Sequence, residues 1–413
     1  MIKILVLTST FPKKIDDNLP MFVYDQLSSI QTKYPNLSFK VLVPHYYDLN
    51  IVDGSLKIEQ IRFHYFWPNK WEKLVGNGIL PTLKKNWLYI LLIPFFLVSQ
   101  FVSTFVIIKR EKPKLIYAHW FFPQAFISFL ISKILKIQYV FTTHALDASI
   151  LNKLPFFGKY ISRKIILSSS AYTADSVNAE NKLHSCLKDN EIKKQKSLVL
   201  PMPINFESKI TPSKKIIELY KKLEKSDSKT LLYIGRFASK KGVENLINIL
   251  YFLNLEKVKC NLILAGSGPE YQRYQNLINS LNLNNFVRFV GFVNKSEKKI
   301  LFDLSDICVV PSVVTKFGDS EGLPVVVLES LASNVITLAS FDSNAAEVIK
   351  HKFNGFLFDS SNFKESSKLI LDIFKLSKEE TNNLIKQANY SVEKYKAENS
   401  ADVFYNHLFK NFI

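Results

Sequence analysis

A chain of 413 residues is too long for one ordinary hydrophobic core and suits two domains of about 200 residues each. Hydrophobic residues at 47% against charged residues at 22% exclude large-scale disorder. The 54 Lys plus Arg outnumber 36 Asp plus Glu, a formal net charge of +18, which calls for an anionic partner: nucleic acid, acidic lipid or a phosphorylated substrate. In chain order, Met1 to Ser9 alternates like a first strand and lacks the pattern of a secretory signal peptide. A loop through Thr10–Pro20 and a helix from about Met21 to Lys33 follow. Strand-like runs then fall at Lys40–Val43, Leu115–Ala118, Tyr139–Thr142 and Lys164–Ser168. Strands spaced by helical stretches predict parallel βαβ units and a doubly wound sheet. The lysine-rich interval Asp189–Lys196, a short strand Ser197–Leu200 and Pro201, Pro203 and Pro212 mark a linker. A second alternation runs through Thr230–Ile234, Asn261–Ala265, Val287–Val290, Ile307–Val310 and Val335–Leu338. Two α/β units, 1–205 and 206–389, are therefore expected, with a helical, aromatic tail from Tyr390 to Ile413 that could pack back on the first.

Asn86 to Ile108 carries no charge over about 23 residues, enough to span a bilayer with tilt. Strands of one sheet lie on both sides of it, so a single crossing would separate them. That leaves a buried helix or one that also rests in a membrane interface. Lys84, Lys85, Lys109, Arg110, Lys112 and Lys114 flank it, and about +13 of the net charge precedes residue 205. The interval Lys153–Lys164 mixes aromatics with lysines and Arg163, as an interfacial helix would; a solvated helix face reads the same. Cys186, Cys260 and Cys308 are far apart, which fits a reducing compartment.

Ligands of open α/β sheets bind outside the carboxyl ends of strands, and the chemistry-bearing residues follow strands here. Gly235 to Gly242, GRFASKKG, places Gly235 at a tight turn and Arg236 and Lys241 over a helix start, as a pyrophosphate requires. A solvated basic loop would look alike. GSGPE from Gly266 marks a close backbone approach. In GDSEGLPVVVLES, Gly318 to Ser330, the Gly322 and Leu323 amides can meet hydroxyls or phosphate oxygens, and Glu321 and Glu329 can accept hydrogen bonds from sugar hydroxyls or a ribose diol. Acidic residues near a helix start are also common without a ligand.

GRFASKKG, AGSGPE, VRFVGFV, VVPS and SEGLPVVVLES, in that order, together with KILVLTSTFP, KPKLIYAHW and YVFTTHALD in the first half, resemble retaining glycosyltransferases of family 4 over nearly the whole chain. The likeness is strongest to bacterial enzymes of capsule, exopolysaccharide, teichuronic acid and O-antigen assembly. The resemblance implies the GT-B fold, two Rossmann-like doubly wound parallel-sheet domains facing across a cleft. It implies that Arg236 and Lys241 bind the donor diphosphate, Glu321 the donor sugar and Glu329 the nucleotide ribose. Phe292 would line the base, and His144 would reach the transferred sugar. His119 reads as structural. The chain departs from the family pattern in a glycine-free loop, STFPKKIDDNLPMF, and in Ala145 after the histidine.

The implied reaction moves a sugar from a nucleotide donor, a UDP-sugar first and GDP-mannose second, to a lipid-linked glycan, with retention. No Asp-x-Asp and no His/Cys/Asp cluster with ligand spacing occurs in the sequence, so neither metal nor cofactor is expected. Cations and helix N-termini would offset the charge on the leaving diphosphate. The basic first domain would dock on the anionic inner leaflet, which makes the expected location cytoplasmic and peripheral. A sugar-nucleotide epimerase and a catalytically degenerate donor-binding partner are the rival readings. Nucleic-acid binding has no recognised module to support it.

Overall fold

The structure, a computed structural model, describes all residues except 16–18, 48–54, 76–78, 80–81, 84–85, 145–150, 152–156, 207–210, 225–227, 317, 319 and 413. Lys84, Lys85, Ala145 and Lys153 lie outside the described residues. The chain forms two compact units, Met1–Pro203 with Ala397–Ile413, and Ile204–Lys396.

The first unit holds β1 (Ile2–Leu7), β2 (Leu37–Pro44), β3 (Glu59–Phe63), β4 (Leu115–His119), β5 (Gln138–Thr143), β6 (Tyr172–Ala174) and β7 (Ser197–Val199). They pair in the order β3-β2-β1-β4-β5-β6-β7, with every pairing parallel. Parallel strands need crossovers, supplied by α1 (Phe22–Lys33), α2 (Ile93–Glu111), α3 (Phe126–Leu135), α4 (Gly158–Ser168) and α5 (Val177–His184), among other turns. The sequence assigns Lys164–Ser168 to a strand; the structure places it in α4. Its apolar run is the buried side of a helix, Ile165 and Ile166 both fully enclosed, and the strand comes four residues later at Tyr172. A short apolar run cannot separate these cases by itself.

The second unit holds β8 (Lys229–Ile234), β9 (Cys260–Ala265), β10 (Val287–Gly291), β11 (Ile307–Val310), β12 (Ile336–Ser340) and β13 (Phe356–Phe358) in the order β10-β9-β8-β11-β12-β13, again all parallel. Neighbouring residues along its strands point to opposite faces. Leu231, Leu262 and Val309 join one core with Leu246, Ile247 and Leu250; Leu232, Ile263 and Cys308 join another with Leu301 and Phe302. A sheet covered on both faces explains why its strands read as continuous apolar runs. The covering helices include α6 (Lys214–Glu224), α7 (Val243–Leu255), α8 (Tyr271–Ser280), α9 (Lys295–Asp303), α10 (Val325–Leu331), α11 (Phe363–Phe374) and α12 (Lys378–Val392). Asn294 with Glu297, and Ser377 with Glu380, form reciprocal caps that start α9 and α12.

From Ala397 the chain returns to the first unit as α13 (Ala397–Phe404) and a final aromatic turn. Asp402 accepts from Lys33 Nζ at 2.6 Å and from Tyr34 Oη at 2.7 Å, which pushes the Tyr34 hydroxyl up to about 12. Tyr405 stacks on Tyr34 with ring centroids 3.6 Å apart, and Phe409 meets Phe39 and Tyr117 edge-on.

Candidate functional site

In the second sheet the strand order reverses between β8 and β11. At such a switch point the two following loops leave in opposite directions and open a crevice outside the carboxyl ends. The loops here are 235–242 and 311–324, which carry the residues singled out by sequence. Gly242, at φ +64°, opens α7, and a Cβ there would lie 1.8 Å from the Pro311 carbonyl oxygen. At Gly266 a Cβ would lie 1.9 Å from the carbonyl oxygen of Gly235. Only glycine permits either approach. Val313 N–H donates to the Lys240 carbonyl at 2.9 Å, which ties the two loops together.

This clamping brings Lys241 Nζ to 3.1 Å from Glu321 Oε2 and Lys240 Nζ to 3.3 Å from Oε1. Burial pushes the Glu321 carboxyl up, but Lys241 and Lys240 outweigh it and hold the group below the ordinary carboxylate range. Glu321 is therefore ionised at neutral pH. Its buried Oε1 has the Lys240 ammonium at 3.3 Å and no other partner among the described residues, so a carboxylate oxygen with two lone pairs keeps acceptor capacity for a hydroxyl donor. Asn344 Nδ2 donates to the carbonyls of Glu321 and Gly322 at 2.8 and 3.2 Å and fixes the loop. Sequence reasoning missed both Lys240 and Asn344. The doubled lysine of SKKG was a visible signal for the first; Asn344 comes from a loop after β12 and had none.

Arg236 is exposed next to the buried anchor Phe237, and its carbonyl accepts from Tyr233 Oη at 2.9 Å. Gly322 and Leu323 are buried. Pro324 precedes α10 in an extended conformation instead of forming its first turn. Glu329 is buried on α10 and paired with Lys298 of α9, so a ribose diol would share that carboxylate with an ammonium. Phe292, directly after β10, is 47% exposed.

In the first unit, β4 and β5 are neighbours and end at His119 and Thr143. His119 and His144 consequently stack at 5.6 Å, with Nδ1 of His119 3.3 Å from Nε2 of His144. Burial, and His144 beside it, hold the His119 imidazole well below its ordinary value, so it stays neutral. His144 Nδ1 lies 3.7 Å from Asp175 Oδ2, and Phe22 and Trp120 flank its ring. His119 and Asp175 thus belong with His144, a grouping that sequence separation concealed.

The apolar segment is a 3-10 turn, Trp87–Leu92, leading into α2. Helix α2 is apolar on both sides: it buries Gln100 and Thr104 beside Phe96, Ile107 and Ile108, and exposes Phe95, Val98, Val102 and Val106. In α4, Arg163 is committed to Glu191, whose carboxyl it pulls down to about 2. Phe157 and Tyr160 are exposed there.

Two parallel-sheet α/β units, the second with these loops at its switch point, define an architecture of the two-Rossmann type. A solved Anabaena protein, HepE in complex with UDP-glucose, superposes with a TM-score of 0.67 over 99% of this chain and 100% of that one at 17% identity, a likeness that establishes the GT-B fold. Residues 215–390, within the second unit, match the family described as glycosyl transferases group 1. An uncharacterized glycosyltransferase of Methanocaldococcus jannaschii is 25% identical over 349 residues, 81% of this chain and 88% of its own. An Escherichia coli protein whose name places it in colanic acid biosynthesis is 26% identical over 163 residues, 40% of each chain.

Proposed function

We propose that the protein is a glycosyltransferase that moves a sugar from a nucleotide donor to a lipid-linked glycan in cell-surface polysaccharide assembly. The observation that carries this reading is the Lys240–Glu321–Lys241 cluster at the switch point, inside the segment that matches the glycosyltransferase domain. Lys241 and exposed Arg236 bind the donor diphosphate and offset its charge as the bond to the sugar breaks. Glu321 accepts hydrogen bonds from sugar hydroxyls, and Glu329 shares its carboxylate between Lys298 and the ribose. Phe292 offers a face to the base. A UDP-sugar is the preferred donor, as HepE binds UDP-glucose; GDP-mannose is the second choice. Transfer proceeds with retention and without metal at the diphosphate, the leaving group helping to deprotonate the acceptor. The first unit holds the acceptor, with His144, oriented by Asp175, as its contact to the transferred sugar.

The protein works on the cytoplasmic face of the membrane. Support comes from the outward apolar side of α2, followed by exposed Lys109, Arg110, Lys112 and Lys114.

The test is a donor screen by thermal shift and hydrolysis in EDTA, on the wild type, Lys241→Ala and Glu321→Ala. One sugar nucleotide is expected to raise Tm and to be hydrolysed slowly, with the rate falling about 10²-fold in each variant. If donor stabilises the chain but no acceptor or water ever receives the sugar, a degenerate donor-binding partner replaces the transferase.

A further inference from the structure

Strands β2 and β3 pair with Pro44 opposite Phe63. The next residue on each strand is a histidine, so His45 and His64 leave the carboxyl edge of the sheet side by side, their ring centroids 4.2 Å apart. His45 N–H donates to the Phe63 carbonyl at 2.9 Å, which holds the two strand ends in register. Glu72 closes the 3-10 turn Asn69–Trp71 and reaches both rings. Its Oε2 meets Nδ1 of His64 at 2.9 Å and also Nδ1 of His45. The other oxygen, Oε1, accepts from the Tyr65 and Phe66 amides at 2.6 and 3.3 Å.

One ligand atom from each of the three residues falls within 4.8 Å of the others. Glu72 has no exposed surface, and among the described residues no lysine or arginine pairs with it. A buried carboxylate requires a countercharge. A divalent ion held by this carboxylate and by a lone pair from each imidazole supplies one.

We infer that His45, His64 and Glu72 form a binding site for a transition-metal ion of the zinc class. Two imidazole nitrogens and one carboxylate oxygen suit Zn²⁺, Co²⁺ or Ni²⁺, whereas Mg²⁺ and Ca²⁺ prefer oxygen alone. The Tyr65 and Phe66 amides orient the carboxylate from its far oxygen, as outer partners of metal ligands do. The His64 side chain is 52% exposed and borders a groove lined by Tyr65, Phe95, Val98 and Val102, which leaves an entry path. The ion clips the edge strand β3 to the chain beneath α2. This site lies wholly in the first unit and stands independently of the donor chemistry assigned to the second.

The test uses untagged, metal-stripped full-length protein, dialysed against micromolar ZnCl2 and analysed for bound metal, with CoCl2 absorption as a report on coordination. Wild type is expected to hold one ion per chain, with a visible Co²⁺ band of nitrogen–oxygen coordination and a raised Tm. His64→Ala, a mild change because the ring is half exposed, should weaken zinc binding at least tenfold; His45→Ala with His64→Ala should abolish the bound ion and the Tm rise. If wild type retains no more zinc than the double variant, or Zn²⁺ raises the Tm of both equally, the site does not exist.

Discussion

Gly266 shows how one residue without a side chain controls charges it never touches. The carbonyl of Gly235 occupies the space a Cβ would need, so the GSG turn sets where the Arg236–Lys241 loop lies, and that loop sets the distance from Lys241 to Glu321. Gly266→Ala is therefore expected to cost about 1–3 kcal/mol of stability through overpacking and to raise the donor KM, read by thermal melts and initial rates. Unchanged KM in a destabilised variant would show that the loop is positioned without this contact. Glu321 illustrates the complementary case of competing effects: burial opposes its charge, and two ammonium groups prevail. The glycine motif and the E-G-L-P phrase were readable along the chain. The doubled lysine offered Lys240 as well, but Asn344 and the His119–His144–Asp175 group were not readable, because each depends on which strands are neighbours.

At the scale of elements, α2 carries the main conflict with ordinary burial. A helix of a soluble core turns its apolar stripe inward, yet this one keeps Gln100 inside and Phe95 and Val98 outside. Burying those two outward side chains in lipid stabilises by about 1.5–3 kcal/mol each, enough to govern membrane partitioning. Phe95→Glu with Val98→Glu should lower co-sedimentation with anionic phospholipid vesicles at least tenfold while leaving donor hydrolysis in solution unchanged. Equal binding of the variant and the wild type would remove α2 from the membrane contact. The same physics explains the misread Lys164–Ser168: three consecutive apolar residues satisfy the period of a strand or of a buried helix turn, and only the packing of Ile165 and Ile166 decides between them.

At the scale of the whole chain, the return of residues 397–413 makes the first unit discontinuous in sequence. Phe404 and Phe409 are fully buried, and a buried phenylalanine contributes about 3–5 kcal/mol on truncation to alanine. A chain ending at Lys396 is accordingly expected to lose ordered structure in residues 1–203 and keep it in 204–396. Limited proteolysis mapped by mass spectrometry should show early cuts confined to the first region; a truncated chain as resistant there as wild type would overturn this.

The sequence by itself determined two alternating α/β halves, because strand period and the glycine and proline punctuation between strands are local properties. The partners of the residues at strand ends were decided by tertiary structure alone. Parallel strands pair across long crossovers, so the register that sets His45 beside His64, or the strand order that sets Lys241 against Glu321, is determined by the packing of the sheet and has no signature in sequence spacing.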